Sequence, residues 1–213
     1  MGVERLGRGE LGPAVALLAR AFADDPVLTH LVRPAEVGLV LGALCRDAAA
    51  AGLVEAVRAD GGLAGVAVWL PPGAHPPSPA REGRLLPHWA RLAAHHPRAV
   101  PRLLRAGRAL DGLHPDEPHW FLSLLGVEPA LQRRGIGAAL LEPGLARAVG
   151  APVHLDTGRP ENVPWYRRFG FEVTDEVRAV PTAPPSWGCG GPGIAIRGLP
   201  ELDAVVSECL HSS

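Results

Sequence analysis

The period of hydrophobic and polar positions changes along the chain, and each change marks an element. Residues 3–6 read as a short strand. Between residues 10 and 23, Leu11, Val15, Leu18, Ala19 and Phe22 lie on one helical stripe that stops at Asp24-Asp25-Pro26. A second helical region covers 27–51 and is interrupted near Arg33-Pro34. Residues 53–59 and 63–70, joined by Asp60-Gly61-Gly62, predict a β-hairpin closed by Pro71-Pro72-Gly73. Residues 74–117 are rich in Pro, His and Arg, yet their apolar stripes predict helices near 85–95 and 99–110. An apolar run over 120–127 has the length of a buried strand, and Glu128-Pro129 ends it because proline has no N–H for a ladder. A helix over 135–149 follows, with a kink expected at Pro143-Gly144. Then come a strand over 153–156, a short helix over 164–169 stopped by Gly170, and a strand over 171–178. Strands and helices in this order make an α/β domain.

The loop between the 120–127 strand and the next helix carries the chemistry. Gln132-Arg133-Arg134-Gly135-Ile136-Gly137-Ala138 leads into a helix N-terminus, where unpaired amides and the helix dipole favour an anion. Gly135 and Gly137 let a phosphate approach the backbone, and two arginines stand beside it. The pattern is neither G-x-G-x-x-G nor a P-loop, which needs a lysine; the chain contains none. A diphosphate cradle of another kind is implied.

Bulk properties narrow the setting. The 213-residue chain fits one domain, burying roughly 70% of the surface its unfolded form exposes. A net charge of −1 and a pI near 6.8 give no case for nucleic acid or an anionic membrane as partner. Cys45, Cys189 and Cys209 show no C-x-x-C or zinc spacing, so a reduced, cytoplasmic protein is expected. The first six residues hold no apolar stretch, and Leu6 stands where a myristoylation signal requires Ser or Thr.

Val127-x-Pro129, Gln132-x-x-Gly135-x-Gly137, Asn162-x-x-x-Tyr166 and Gly170-Phe171, at these distances, resemble the GNAT family of N-acetyltransferases. Ala21 to Asp24, Glu117-Pro118-x-Trp120-Phe121-Leu122 and Pro143-Gly144 extend the similarity toward its puromycin N-acetyltransferase-like, antibiotic-inactivating branch. The resemblance covers roughly residues 10–187. It implies a GNAT fold: a mixed central sheet splayed between strands 4 and 5, flanked by helices, with a helical insertion between strands 3 and 4. A single domain over 1–187 is expected, with 74–117 reaching over the acceptor side and an irregular tail over 188–213. That tail begins with Gly188-Cys189-Gly190-Gly191-Pro192-Gly193, a poor strand by composition, and a shifted reading frame is one explanation for it.

The resemblance also implies acetyl-CoA as co-substrate. Its contacts would come from Leu125, Gly126, Val127, Gln132, Arg133, Arg134, Gly135, Ile136, Gly137, Ala138, Asn162 and Tyr166. Amine acetylation needs a proton acceptor and an acid for the departing thiolate. Tyr166, the chain's one tyrosine, stands in the family's acid position; an aromatic packed on the sheet is the alternative, a task for which Trp165 and Phe169 are better placed. Asp156 is the candidate base; a cap on the turn into Thr157-Gly158 is its alternative. The 120–127 strand holds no carboxylate, so the base slot many family members use there is empty. Asn162 is read either as a cofactor contact or as a helix cap. Asp24 and Asp25 are read as a helix-end turn, and the histidines as lacking metal-ligand spacing, so no metal is expected. The expected partner is a small-molecule amine, hydrophobic or aromatic by the approaches of Trp69, Trp89 and Trp120, bound by a monomer or homodimer. A protein N-terminal acetyltransferase and a non-catalytic acyl-CoA-binding protein are the competing classes.

Overall fold

The sheet is built outward from a hairpin buried on both faces. The computed structural model describes residues 2–191, and among these β2 (Leu53–Ala59) and β3 (Gly62–Leu70) pair antiparallel, Leu53 opposite Trp69. In β3, Val66, Val68 and Leu70 enter one core layer while Ala67 and Trp69 enter the other, the period-two division a strand requires. Covered on both sides, such a strand reads as a continuous apolar run. β1 (Val3–Arg5) extends the sheet on the β2 side. On the other side come β4 (Trp120–Val127), β5 (Val153–Thr157), then β7 (Pro185–Gly190) and β6 (Glu172–Arg178).

Helices cover both faces. α1 (Leu11–Ala21) and α3 (Pro34–Ala51) lie in the first layer, with α2 (Pro26–Leu31) between them in the chain. Leu17 and Leu18 of α1 are fully buried, worth about 1.5–3 kcal/mol each. α6 (Ile136–Arg147) and α7 (Val163–Arg167) form the second layer. Close approach there depends on missing side chains. A Cβ on Gly65 would sit 2.8 Å from Ile136 and Leu140 of α6, and one on Gly144 would sit 2.2 Å from the Trp69 indole. α6 continues through Pro143 to Arg147.

The insertion forms α4 (Pro79–His95) and α5 (Ala99–Asp111), which pack on each other and on α3 and α2. Arg81 of α4 forms an ion pair with Asp47 of α3.

Two features determine the site. β4 and β5 are parallel but pair only from Trp120–Val153 to Leu122–Leu155. Beyond that, β4 runs on to Val127 with β3 on one side only, so the strands part and leave one edge of β4 open. The splay expected between the fourth and fifth strands is present.

The glycine-rich run after Trp187 is a strand, contrary to the sequence expectation. β7 lies between β5 and β6 with every residue from Ser186 to Gly190 buried. Composition misleads here because side chains from other elements fill the space the glycines leave. A Cβ on Gly188 would meet Leu113 at 3.1 Å, His154 at 3.2 Å and Thr174 at 3.3 Å. The domain therefore extends at least to Gly190, and a shifted reading frame is not needed to explain residues up to that point. Residues 192–213, with Cys209, lie outside the described residues.

Candidate functional site

The loop before α6 is shaped by its backbone. Gly135 is the α6 N-cap residue, held at φ +80°, the left-handed region that favours glycine. Arg133 also has a positive φ, 62°. This path turns the chain so that the first amides of α6 open outward. Gln132 Nε2 donates to the Val127 carbonyl at 3.4 Å, across the loop's base. Arg20 of α1 grips Glu128 with two nitrogens, Nη2 lying 2.7 Å from Oε2, and so fixes the end of β4.

Gly137 and Gly126 have packing tasks of their own. A Cβ on Gly137 would lie 3.3 Å from the Trp165 ring, and one on Gly126 would lie 2.7 Å from Leu18. The sequence reading tied Gly137 to phosphate approach alone; the structure adds a close aromatic neighbour.

A cleft of about 920 Å³ runs from this loop along the open edge of β4 to the C-terminal end of β5. It is lined by every expected cofactor-binding residue except Arg134, which is exposed on the loop, and it contains Asp156 and Tyr166. No residue of 74–117 lines it; within the insertion, His114 lies beside Asp156. Trp69, Trp89 and Trp120 do not line it either. Trp69 is fully buried against α6, so the aromatic approach inferred from these tryptophans is absent; Phe22, Trp165 and Tyr166 supply the cleft's aromatic surface.

Individual roles separate clearly. Asp25 caps α2, accepting from Val27 N at 3.1 Å and Leu28 N at 2.9 Å. Asp24 is paired with Arg159 at 2.5 Å, at the cleft wall. Asn162 makes no cap bond; its amide donates to Thr157 Oγ1 at 3.4 Å. Thr157, not Asp156, serves the turn, its Oγ1 accepting from Arg159 N at 3.2 Å. Tyr166 is 8% exposed, and burial pushes its phenol well above the ordinary value, with Cys189 adding in the same direction. A phenol so placed stays protonated through the neutral range, the state a donor to a leaving thiolate requires.

Asp156 stands at the head of a histidine cluster that sequence spacing could not reveal. Its Oδ1 accepts from His154 Nε2 at 2.9 Å, and its Oδ2 lies 3.6 Å from His114 Nε2. Behind them, His114 Nδ1 and His119 Nε2 are 2.9 Å apart, and His119 Nδ1 donates to the Glu117 carbonyl at 2.8 Å. His75 stacks on His114 at 3.8 Å between centroids. Burial acts to raise the Asp156 carboxyl, but the two imidazoles outweigh it and hold it below the usual carboxylate range. Burial, then His114, pushes His75 down to about 3, so it is neutral.

Ligand atoms of His114, His154 and Asp156 lie within 4.8 Å of one another, close enough for a cation. The proton positions disfavour one. A metal on His154 Nε2 would move that ring's proton to Nδ1, which is buried with no acceptor among the described residues. The one sequence signal was His154 itself, a histidine inside a buried strand, opposite Phe121 of the neighbouring strand.

One cleft thus joins a glycine loop at a helix N-terminus and an open strand edge to a buried carboxylate and a buried phenol. Residues 104–173 match the acetyltransferase (GNAT) domain family. An uncharacterised N-acetyltransferase of Schizosaccharomyces pombe is 25% identical over 189 residues, 83% of this chain and 76% of the relative. Solved structures share the fold. A histone acetyltransferase HPA2-related protein of Corynebacterium glutamicum has a TM-score of 0.67 at 22% identity, covering 91% of this chain and 96% of its own. Drosophila melanogaster polyamine N-acetyltransferase, which forms N-acetylagmatine, has 0.61 at 16%, covering 89% and 98%. A Brucella melitensis GNAT acetyltransferase in complex with acetyl-CoA has 0.50 at 18%, covering 91% and 88%. The fold is that of the GNAT acetyltransferases, and the match over residues 104–173 makes the chain an enzyme of the acetyltransferase class.

Proposed function

We propose that this protein is an acetyl-CoA-dependent N-acetyltransferase that acts on the primary amine of a small molecule. The observation that carries the reading is the single cleft in which the Gly135 loop, the open edge of β4, Asp156 and Tyr166 meet. The amides at Gly135 to Ala138 suit a pyrophosphate, with Arg133 beside them. The unpaired edge of Leu125, Gly126 and Val127 suits an extended chain that carries its own amides. Acetyl-CoA supplies an activated thioester carbonyl. Asp156 accepts the proton that the amine must lose before it attacks, and Tyr166 gives its proton to the thiolate that leaves.

The polyamine-acetylating relative supports a small amine as acceptor. Within that class, Asp24 and Glu161 share Arg159 at the cleft wall and Asp25 caps α2, so wall charge alone does not select the acceptor. An antibiotic-like amine, as the puromycin N-acetyltransferase-like branch would take, belongs to the same class and is one arm of the test.

The experiment is thiol release from acetyl-CoA over a panel of amines: agmatine, arylalkylamines, puromycin and an N-terminal peptide. Turnover of a small amine supports the proposal. Turnover of the peptide alone would make the protein an N-terminal acetyltransferase. Acetyl-CoA binding without turnover would make it an acyl-CoA-binding protein.

A further inference from the structure

Arg159 follows Asp156 by three residues, in the loop that leaves β5 for α7, and backbone contacts set its place in the cleft wall. Thr157 Oγ1 accepts from Arg159 N at 3.2 Å and pins it to the strand end. The residue before it, Gly158, is pressed on α2: a Cβ there would lie 2.5 Å from Val27.

From this loop the guanidinium crosses to the turn between α1 and α2. Nη2 meets Asp24 Oδ1 at 2.5 Å, and Nη1 meets Glu161 Oε1 at 3.1 Å. Its field also reaches Asp25: burial raises that carboxyl, and the Leu28 amide, then Arg159, oppose the rise. One guanidinium thus serves three carboxylates, and all four residues line the cleft. The Arg159 side chain is 26% exposed, against 83% for Asp24 and 59% for Glu161, so the cation lies deeper than the two acids paired with it.

The other arginines of the cleft have different places. Arg20 is paired with Glu128. Arg133 stands on the Gly135 loop, and Arg168 lies one helical turn beyond Trp165, whose ring packs against Gly137. Those two belong to the end of the cleft read as the cofactor's.

A substrate with two cationic ends needs carboxylates such as these for the end that does not react. Here the chain fills the position with its own guanidinium, a group that stays charged throughout the working pH range. A second substrate cation would give up water to share acids that Arg159 already holds, with a like charge at close range. An uncharged body meets Phe22 instead, two residues before Asp24 on the same wall.

We propose that Arg159 determines acceptor specificity: it occupies the place of a second substrate cation and so restricts the acceptor to amines with one positive charge and an apolar body. The inference rests on the acetyltransferase reading of the cleft and adds to it the class of amine. Arg159 acts on acceptor binding, and the proton transfers stay with Asp156 and Tyr166.

The test compares hexylamine with cadaverine, which match in heavy atoms and differ by one terminal ammonium. Wild-type protein should favour hexylamine ~10-fold in kcat/KM, the scale of one charge contact in a half-exposed wall. Arg159→Gln keeps a hydrogen-bonding stem and removes the charge. It should shrink that ratio ~10-fold, through the KM for cadaverine and not through kcat. Adding Asp24→Asn to Arg159→Gln should take most of this gain away, and so should raised salt. A merely structural role would move both amines alike, so an unchanged ratio in Arg159→Gln overturns the proposal. Wild-type protein that favours cadaverine overturns it as well, and that result needs no variant to fold. If neither amine is turned over, their inhibition of the fastest amine in the panel is read in the same way: weaker inhibition by cadaverine supports the proposal, and equal or stronger inhibition overturns it. Failure of the acetyltransferase reading looks different, because wild-type protein would then acetylate no amine of any charge.

Discussion

One wall of the cleft, residues 125–138, is made of backbone; the opposite wall, around Asp156 and Tyr166, is made of side chains drawn from distant parts of the chain. The first wall works through the left-handed turn at Gly135, the free amides of α6 and an unpaired strand edge. All of these belong to one strand–loop–helix unit. The second needs Asp156 and His154 from β5, His114 and His119 from the segment before β4, Tyr166 from α7, and β7 laid across the His154 ring by its glycines. Under the proposed function, binding is local and geometric, whereas chemistry is non-local and electrostatic. Substitutions in the two walls should fail in different ways.

The largest effect should come from the backbone wall. Even alanine at a left-handed position costs about 1–2 kcal/mol, and a β-branched residue costs more, so the turn at Gly135 would open to relieve it. Gly135→Val is expected to abolish acetyl-CoA binding while circular dichroism still reports a folded domain. Open space around a Cβ at this position means that backbone, not crowding within the chain, is the cause.

Substitutions in the side-chain wall should leave cofactor affinity intact and alter rates. Tyr166→Phe removes one oxygen from a buried ring and keeps its packing on Trp165 and Phe171. A fall in kcat of ~10²-fold, the same at every pH, is expected in steady-state assays. Asp156→Asn should give a loss of similar size at neutral pH that shrinks as pH rises toward the amine's own pKa, where free amine no longer needs an acceptor. Loss at all pH values alike would mean that Asp156 only orients its neighbours. The smallest effect should be Arg20→Ala. Its partner Glu128 is partly exposed and Arg20 more so, and such pairs are worth at most about 1 kcal/mol. A small drop in melting temperature with near-normal kcat would show that the β4 end is held mainly by its sheet contacts.

The same contrast explains what the sequence could disclose. Periodicity located the hairpin, β4, the α6 loop and the helices of the insertion, because each is set by short-range pattern and by Gly and Pro placement. Gly135 was legible for the same reason: a left-handed residue at a helix N-terminus announces itself locally. β7 was not legible, because its stability comes from Leu113, His154 and Thr174 filling the places its own side chains lack. The histidine cluster was missed for a related reason. Residues 75, 114, 119 and 154 have no common spacing; they come from the loop after β3, the segment between α5 and β4, and β5, and meet only through tertiary packing. Trp69, placed near the acceptor by its apolar surroundings, is instead sealed beneath Gly144. An apolar neighbourhood says that a residue is buried, not which side of the sheet receives it.

Titration calorimetry of acetyl-CoA into Gly135→Val and Asp156→Asn, run beside the unaltered protein, tests the division of labour most directly. Gly135→Val should show no binding heat, and Asp156→Asn should bind with the unaltered protein's Kd despite its slower turnover. Retained affinity in the glycine variant, or lost affinity in the aspartate variant, would contradict the assignment of binding to one wall and chemistry to the other.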